Sequence, residues 1–247
     1  MSPDLHDLFR SYLRQRLESG EAVLYKPFDV EMEMPEEPVG NESDPAQEST
    51  LDQQALNIDD FGKSESLDQL YGAIHDCQKC PLGATRTHLV FGVGNPHAEI
   101  MFVGEAPGAD EDRLGEPFVG RAGQLLNKIL AAMKLRREDV YIANILKCRP
   151  PNNRDPQPEE AETCEPYLHK QIKLIKPKII CCLGRIAAQR LLQTNMSLGQ
   201  MRDRWFDYRG TLLMVTYHPA ALLRSNQYKR PLWDDMQKLL KKLQELK

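Results

Sequence analysis

Four cysteines in this chain are spaced like the ligands of one metal centre. Cys77 and Cys80 form a C-x2-C pair, and Cys148 and Cys164 form a second pair with fifteen residues between them. Thiolates at such spacings can converge on one site, and four cysteine ligands hold either a zinc ion or an iron–sulfur cluster. Two unrelated pairs, of which only the first has a role, are the alternative. A shared centre would tie both ends of the segment 81–147 to one rigid point.

An acidic, glycine-rich loop lies inside that segment and directly follows a short apolar run. It reads Gly-Glu-Ala-Pro-Gly-Ala-Asp-Glu-Asp at 104–112. Its glycines and proline let the backbone approach a ligand closely. Asp110, Glu111 and Asp112 could bind a metal ion, although three adjacent acids are more typical of a solvated loop. Phe118 follows in a turn-rich stretch, where its ring either stacks on a planar ligand or packs in the core.

Two later segments add polar groups and positive charge. The side chain of Asn144 has a donor and an acceptor side by side, which suits the edge of a nucleic-acid base, or it bonds local backbone instead. Basic residues suited to phosphates follow it: Lys147, Arg149 and Arg154. His218 precedes Leu222 and Arg224, and apolar side chains beside an arginine can wedge into a DNA stack.

The elements that must position these residues alternate between strands and helices. Apolar runs predict four strands, at 100–103, 140–146, 178–183 and 212–216. Helical patterns lie between and after them, at 122–133, 159–175, 185–192 and 231–246. This alternation predicts an α/β fold, a three-layer α/β/α sandwich around a central parallel four-stranded sheet. Ligands bind at the carboxyl ends of strands in such sheets, where Glu105, Asn144 and His218 stand.

The N-terminal quarter of the chain has a different composition. Apolar residues at helical spacing predict a helix within residues 1–25. Residues 26–63 contain eleven acidic residues and four prolines, which predicts a disordered linker because such a composition cannot bury a core. A globular pattern then predicts one domain over residues 64–247. We expect this domain to work without residues 1–63.

The net charge of −4 conceals an asymmetry between these regions. Residues 1–63 contain five Lys or Arg and fifteen Asp or Glu, whereas residues 64–247 contain 27 and 21. The basic balance of the second region favours a polyanionic ligand, although an excess of six is also ordinary surface charge.

The cellular compartment follows from segments that the sequence lacks. No apolar run is long enough to span a membrane, and the first residues lack the basic start and apolar core of a signal peptide, so we expect a soluble, cytoplasmic protein. A reducing compartment favours metal-bound thiolates over disulfides. The adjacent Cys181 and Cys182 are interpreted as small buried hydrophobes on a strand.

Taken in order, the motifs resemble those of the family 4 uracil-DNA glycosylases, the iron–sulfur, thermophile-type group. The matching segments are Gly-Glu-Ala-Pro-Gly at 104–108, Glu-Pro-Phe-Val-Gly-Arg-Ala-Gly at 116–123, Asn-Ile-Leu-Lys-Cys-Arg-Pro-Pro at 144–151 and His-Pro-Ala at 218–220. The resemblance covers about residues 66–245 and leaves the N-terminal region unexplained. It implies a [4Fe–4S] cluster, rather than zinc, on Cys77, Cys80, Cys148 and Cys164.

The resemblance also implies an activity. Such an enzyme hydrolyses the N-glycosidic bond of deoxyuridine in single- or double-stranded DNA, releases uracil and leaves an abasic site, which initiates base excision repair. A monomer is expected, and the predicted N-terminal helix could dock a repair protein. The sequence lacks the basic insertion after the Asn144 strand that related proteins use to trap uracil-DNA covalently, which favours turnover.

Site roles follow position by position from the same resemblance. Glu105 is implied to lie in the uracil pocket near the attacking water, Glu111 to line the site and Phe118 to stack on uracil. Asn144 is implied to bind the edge of uracil and His218 its O2 atom. The predicted DNA contacts are Lys147, Arg149, Leu222, expected as the wedge, and Arg224.

Two departures from the wider superfamily bear on mechanism and specificity. The Gly-Gln-Asp-Pro-Tyr type of uracil-DNA glycosylase has an Asp where this chain has Ala106, so Glu105 does not simply inherit that role. Gly108 stands where a Tyr excludes thymine in that type, so thymine must be excluded by another residue.

The main alternative to a glycosylase is a non-catalytic iron–sulfur module that binds uracil or damaged DNA. An electron-transfer protein is a further alternative.

Overall fold

The computed structural model describes residues 60–247, and the predictions for residues 1–59 lie outside the described residues. Residues 60–63, assigned to the linker from their composition, form a turn of 3-10 helix. Phe61 in this turn is buried and packs edge-on against Tyr167, with 4.9 Å between ring centroids. The packed domain therefore begins a few residues before the predicted boundary at Ser64.

One mixed sheet forms the centre of the described domain. Its strands are β1 (Val93–Gly94), β2 (Ile100–Gly104), β3 (Tyr141–Asn144), β4 (Ile179–Leu183), β5 (Trp205–Tyr208) and β6 (Thr211–Thr216). Their order is β1-β3-β2-β4-β6-β5. The four central strands β3, β2, β4 and β6 pair in parallel, which confirms the predicted core of the sheet. The edge strands β1 and β5 were not predicted from the sequence; both are short and pair antiparallel.

Helices flank the sheet in the described residues. They are α1 (Leu67–Ile74), α2 (Leu82–Thr85), α3 (Ala109–Leu114), α4 (Arg121–Ala132), α5 (Pro158–Ile175), α6 (Arg185–Leu192), α7 (Leu198–Met201), α8 (Pro219–Arg224) and α9 (Lys229–Glu245). Among these residues, no helix is both long and apolar enough to cross a membrane.

Two apolar clusters on opposite faces of the sheet give the fold its three layers. Successive side chains of a strand point to opposite faces. Met101 and Val103 of β2 pack with α1, α5 and α6, whereas Ile100 and Phe102 pack with α4 and α9. Because every residue of β2 is buried, both faces of this strand contribute to the core. Full burial of one such aliphatic or aromatic side chain stabilises the fold by about 1.5–3 kcal/mol.

The neighbouring cysteines of β4 illustrate this alternation. Cys181 packs in the cluster with α4 and α9, whereas Cys182 packs in the cluster with α1, α5 and α6. Both side chains are fully buried, and burial raises the pKa of both thiols well above the ordinary range. They are small core residues, as predicted.

Candidate functional site

The candidate site lies where three parallel strands end. β2 ends at Gly104, β3 at Asn144, and His218 follows β6. Gly104 permits the close approach of the side chains, because a Cβ built on it would lie 2.3 Å from Asn144 Oδ1 and 2.7 Å from Phe118 Cζ. The rings of Phe118 and His218 are 5.4 Å apart between centroids. The structure thus brings together Phe118, Asn144 and His218 around the end of β2.

Asn144 has a buried acceptor that the protein leaves unused. Its side chain is only 2% exposed. Its Oδ1 atom has no hydrogen-bond partner among residues 60–247. An unpaired buried polar atom costs about 1–3 kcal/mol and is rare in folded proteins, so it indicates a place for a ligand or water. The sequence left open whether Asn144 bonds local backbone, and the structure shows that its Oδ1 does not.

The tautomer of His218 follows from its role as the cap of α8. The backbone N–H of Ala220 donates to Nδ1 of His218 over 3.1 Å. Burial lowers the pKa of His218 to about 4, against the opposing charge of Glu111, so the ring is neutral near pH 7. In a neutral ring whose Nδ1 accepts, the proton is on Nε2. His218 therefore has one N–H donor to offer a ligand.

Phe118 occupies a backbone conformation that is unusual for an aromatic residue. Its φ is 53°, in the left-handed region, which costs about 1–2 kcal/mol for a residue with a Cβ. The side chain is buried against the end of β2 and beside His218. Turns strained in this way are frequent at ligand sites, where the surrounding structure holds them.

Glu111 connects the acidic loop to the Phe118 turn. Its Oε1 accepts from the amides of Val119 and Gly120, both over 2.9 Å, and its Oε2 accepts from Gly108 over 3.1 Å. Oε2 also lies 2.7 Å from where a Cβ at Gly108 would be. Glu111 therefore occupies the space next to Gly108, and its oxygens are engaged with backbone N–H groups.

The other acids of the loop form the first turn of α3, where the helix dipole favours negative charge. Asp112 is buried and accepts from the backbone N and the hydroxyl of Thr87, over 2.9 and 2.7 Å. Asp110 is exposed and pairs with Arg113 at 3.6 Å. The carboxylates of Glu111 and Asp112 thus accept hydrogen bonds from the protein itself, and neither residue belongs to a merely solvated loop.

Glu105 follows Gly104 and is partly buried. Burial, together with the nearby charge of Asp155, raises the pKa of its carboxyl to about 7, against the opposing effect of Arg185. A carboxyl that titrates near neutrality is suited to general acid–base work. Asp155 and Arg185 were not predicted as neighbours of Glu105, because nothing in the local sequence places them beside it.

The four cysteines of the predicted centre lie together. Burial first, then the nearby Cys80 and Cys77, raise the pKa of Cys148, while Arg86 lowers it. Burial raises the pKa of Cys164 to about 12, with smaller contributions from Cys148 and Cys80. All six cysteines of the chain are free thiols in this structure, so disulfides do not explain the clustering.

Hydrogen-bonding groups surround three of these sulfurs. Arg86 Nη1 donates to Cys148 Sγ over 3.4 Å and also to the carbonyl of Cys77, which ties the two pairs to each other. The backbone N–H of Lys147 donates to Cys164 Sγ, and the hydroxyl of Tyr167 lies near Cys77 Sγ, both at 3.2 Å. Hydrogen bonds to cysteine sulfurs are a feature of iron–sulfur sites.

No three His, Cys, Asp or Glu side chains in the described part of the chain are arranged to hold one metal ion. A four-iron cluster is larger than one ion, so its ligand sulfurs lie further apart than those of zinc. Four neighbouring thiols with N–H donors fit such a cluster, whose positive irons would stabilise the thiolates that burial disfavours.

Lys147 is not on the surface, contrary to its prediction as a DNA contact. It is fully buried, and its Nζ donates to the carbonyl of Asn144 over 2.9 Å and to Gln171 Oε1 over 2.6 Å. Its ammonium group is satisfied inside the protein and cannot reach a phosphate. Lys147 instead connects the backbone of Asn144 to α5.

The remaining predicted DNA contacts differ in exposure. Arg224 is exposed, and Arg149 is partly exposed with its Nε donating to Asn153 Oδ1 over 2.8 Å. Arg154 pairs with both oxygens of Glu160, at 2.6 and 2.8 Å. Leu222, expected as the wedge, is only 3% exposed and packs in the core, whereas Leu223 is 43% exposed. The exposed apolar side chain of α8 is therefore Leu223.

Comparison with known proteins places these motifs in a family. The Uracil DNA glycosylase superfamily profile matches residues 91–242. The chain is 50% identical over 185 residues to the type-4 uracil-DNA glycosylase of Archaeoglobus fulgidus, a match that covers 71% of this chain and 92% of that protein. It is 42% identical over 182 residues to the type-4 uracil-DNA glycosylase of Thermotoga maritima, covering 72% and 95%. A relative from Saccharolobus solfataricus with the same description is 44% identical over 184 residues, covering 71% and 85%.

Proposed function

The chain belongs to the uracil-DNA glycosylase superfamily and to its type-4 group, and we propose that residues 60–247 hydrolyse the N-glycosidic bond of deoxyuridine in DNA. Uracil is released and an abasic site remains. Hydrolysis breaks the bond between C1′ and N1, and water supplies the oxygen that replaces N1 on the sugar. The proposal rests on family membership and on one observation of this site, the unused acceptor of Asn144.

Recognition of the base follows from that acceptor. Uracil N3–H can donate to Asn144 Oδ1, and the amide nitrogen of the same side chain can donate to uracil O4. Cytosine has an acceptor at N3 and a donor at position 4, so both pairings would be lost. A site built around such hydrogen bonds rejects the wrong base strongly, because its buried polar groups are left unpaired. Phe118 supplies a ring on which the flipped base stacks.

His218 acts on the charge that develops as the bond breaks. Cleavage leaves negative charge on uracil O2, and the Nε2–H of the neutral ring is the donor for it. A donor aimed at developing charge stabilises the transition state more than the ground state. Ala220 N–H holds the ring in the required tautomer, so no proton rearrangement precedes the reaction.

Glu105 acts on the sugar and the water. Its carboxylate offsets the positive charge that forms at C1′, orients the attacking water and accepts the proton that the water gives up. Glu111 does not compete for this role, because its oxygens already accept three backbone amides. Glu111 instead occupies the space beside Gly108, the position at which the Gly-Gln-Asp-Pro-Tyr type of enzyme has a Tyr.

The pH dependence of excision should report Glu105. Its pKa is raised to about 7 and its ionised form is the active one, so kcat/KM should rise as pH increases through about 7 and level off above it. His218 contributes no inflection there, because its pKa is lowered to about 4. Asp155→Asn removes a charge that raises the pKa of Glu105, so the rise should move to lower pH. An unchanged profile in Glu105→Gln would assign the inflection to another group.

The cysteine centre is proposed to hold a [4Fe–4S] cluster that braces the two ends of the segment carrying the site. Purified protein should be brown and contain about four irons per chain. Cys148→Ser and Cys164→Ser should lose the iron and the visible absorbance. Cys182→Ser is the matched control, because Cys182 is a core thiol on β4 and should keep the iron. Stoichiometric zinc without iron in anaerobically purified protein contradicts the proposal.

Leu223 is proposed as the wedge that replaces the flipped base. Leu223→Ala should slow excision from duplex DNA about tenfold and from single strands much less, because only the duplex has to be unstacked and unpaired. Leu222→Ala is the contrasting variant. It should lower the free energy of unfolding by about 2–5 kcal/mol, because it removes a core side chain. Equal losses on single and double strands in Leu223→Ala would exclude the wedge.

One assay separates this function from the non-catalytic alternative. Purified protein is incubated with single- and double-stranded oligonucleotides that contain uracil, hypoxanthine or a mismatched thymine, and abasic sites are detected by alkaline cleavage. We expect uracil to be excised with many turnovers. Tight binding of uracil-DNA without cleavage would instead favour the DNA-binding module. A monomer and a repair partner for the N-terminal region stay predictions.

A further inference from the structure

An arginine between the second and third sequence motifs holds the turn that contains Phe118 through hydrogen bonds. Arg137 Nη2 donates to the carbonyl of Pro117 over 2.7 Å, and its Nη1 donates to the carbonyl of Phe118 over 3.0 Å. Nη1 also donates to Asn127 Oδ1 over 3.2 Å, which connects the same guanidinium to α4. The planar guanidinium of an arginine donates from two nitrogens to two adjacent acceptors, whereas a lysine has a single nitrogen and lacks this fixed geometry.

The turn requires these hydrogen bonds because its backbone conformation is strained. Phe118 has a φ of 53°, which an aromatic residue adopts only where neighbouring contacts impose it. Its carbonyl oxygen is packed against α4 so closely that a Cβ at Gly123 would lie 1.8 Å from it. Glu111 fixes the following amides of Val119 and Gly120. Arg137 fixes the carbonyls on the other side, so the turn is held from both ends.

Arg137 also connects this turn to the strand that presents Asn144. It begins the 3-10 turn Arg137–Asp139, which leads into β3, and β3 ends at Asn144. The side chain of Arg137 and the four-residue strand β3 thereby connect the two sides of the base pocket, which are the ring of Phe118 and the amide of Asn144. The neighbouring Arg136 has no such role, because it is exposed and pairs with Glu138 and Asp139.

We propose that Arg137 is a positioning residue for base recognition: it holds the Phe118 ring in the geometry that stacks on the flipped uracil. The inference deepens the proposed function and rests on it. Arg137 does not touch the base. Its removal should let the turn relax toward an unstrained conformation and move the ring out of the stacking position, while Asn144 and His218 stay in place.

The test compares Arg137→Ala, Arg137→Lys and the matched control Arg136→Ala with the wild-type protein. Single-turnover excision from a uracil oligonucleotide and inhibition by free uracil are measured, because free uracil binds through the stack and the Asn144 pairing without the DNA backbone. Arg137→Ala should lower the excision rate at least about tenfold, since small misplacements near a reacting group have large effects. It should weaken inhibition by uracil, and added guanidinium ion should restore part of both. Arg137→Lys should retain little of the wild-type excision rate and uracil inhibition, and Arg136→Ala should behave as wild type.

A double-mutant cycle with Phe118→Gly separates positioning from general loss of structure. If Arg137 acts through the ring, adding Arg137→Ala to Phe118→Gly should lower the excision rate by less than about a further twofold. The effects of two residues that act through one contact are not additive. The full effect in that background, or wild-type behaviour of Arg137→Ala, overturns the inference. If Arg137→Ala does not fold, Arg137→Lys replaces it in the double-mutant cycle, and the same twofold limit applies. An inactive wild-type protein would refute the proposed function and this inference with it, whereas an active wild type with an equally active variant refutes the inference alone.

Discussion

His218→Ala should lower the single-turnover rate of uracil excision by a hundredfold or more, as the loss of a donor to a developing oxyanion does in other enzymes. The charge on uracil O2 appears only as the glycosidic bond breaks, so the donor acts on the transition state. Affinity for uracil-DNA should change little. The measurement is a rapid-quench single-turnover assay beside equilibrium binding of the same oligonucleotide.

The structure suggests a control for this variant. His218 caps α8 by accepting the N–H of Ala220, so alanine also removes a helix cap worth about 1 kcal/mol. His218→Asn keeps a side-chain acceptor for the cap but not the Nε2–H at the same reach. It should fold like wild type and remain slow. Near-normal cleavage by His218→Ala would exclude His218 from the mechanism and leave Glu105 as the strongest candidate.

Asn144→Asp should lower uracil excision by roughly ten- to a hundredfold, because a carboxylate lacks the donor that uracil O4 requires and leaves a buried group unpaired. It should also reduce the preference for uracil over cytosine. The exocyclic amine of cytosine donates to a carboxylate, whereas the amide nitrogen of Asn144 repels it. Excision rates from matched uracil and cytosine oligonucleotides measure this ratio.

Asn144→Ala is the matched control, since it removes both hydrogen bonds and introduces no acceptor. Its uracil activity should fall as in Asn144→Asp, and cytosine should stay untouched. If Asn144→Asp keeps the wild-type preference for uracil over cytosine, the base edge is recognised by another group. The fully buried Lys147, which bonds the carbonyl of Asn144, keeps the backbone in place in both variants.

The local sequence determined the central sheet, the motif order and the cysteine pairs. Strands buried on both faces are continuous apolar runs, so 100–103 and 178–183 are distinct from the amphipathic helices around them. Four motifs in one order, three of them beside a predicted strand end, identified the family that the comparisons show. The antiparallel edges β1 and β5 were missed, because they are short and only partly buried, and such strands have little apolar periodicity.

Only the tertiary structure decided what several side chains of those motifs do. Adjacent leucines on a helix point about 100° apart, and packing alone determines that Leu222 faces the core and Leu223 the solvent. A lysine followed by two arginines in one loop predicts a phosphate contact. In the structure, however, the ammonium of Lys147 donates a hydrogen bond inside the protein to Gln171 on α5, which is distant in sequence.

The chemistry of the pocket likewise depends on contacts between distant segments. The tautomer of His218 depends on a hydrogen bond from Ala220, and the raised pKa of Glu105 depends on burial and on Asp155. The position of Phe118 depends on hydrogen bonds from Arg137. The sequence determined which residue types stand at the ends of the strands. The folded chain determined their protonation and orientation, because both are set by the atoms that surround each side chain.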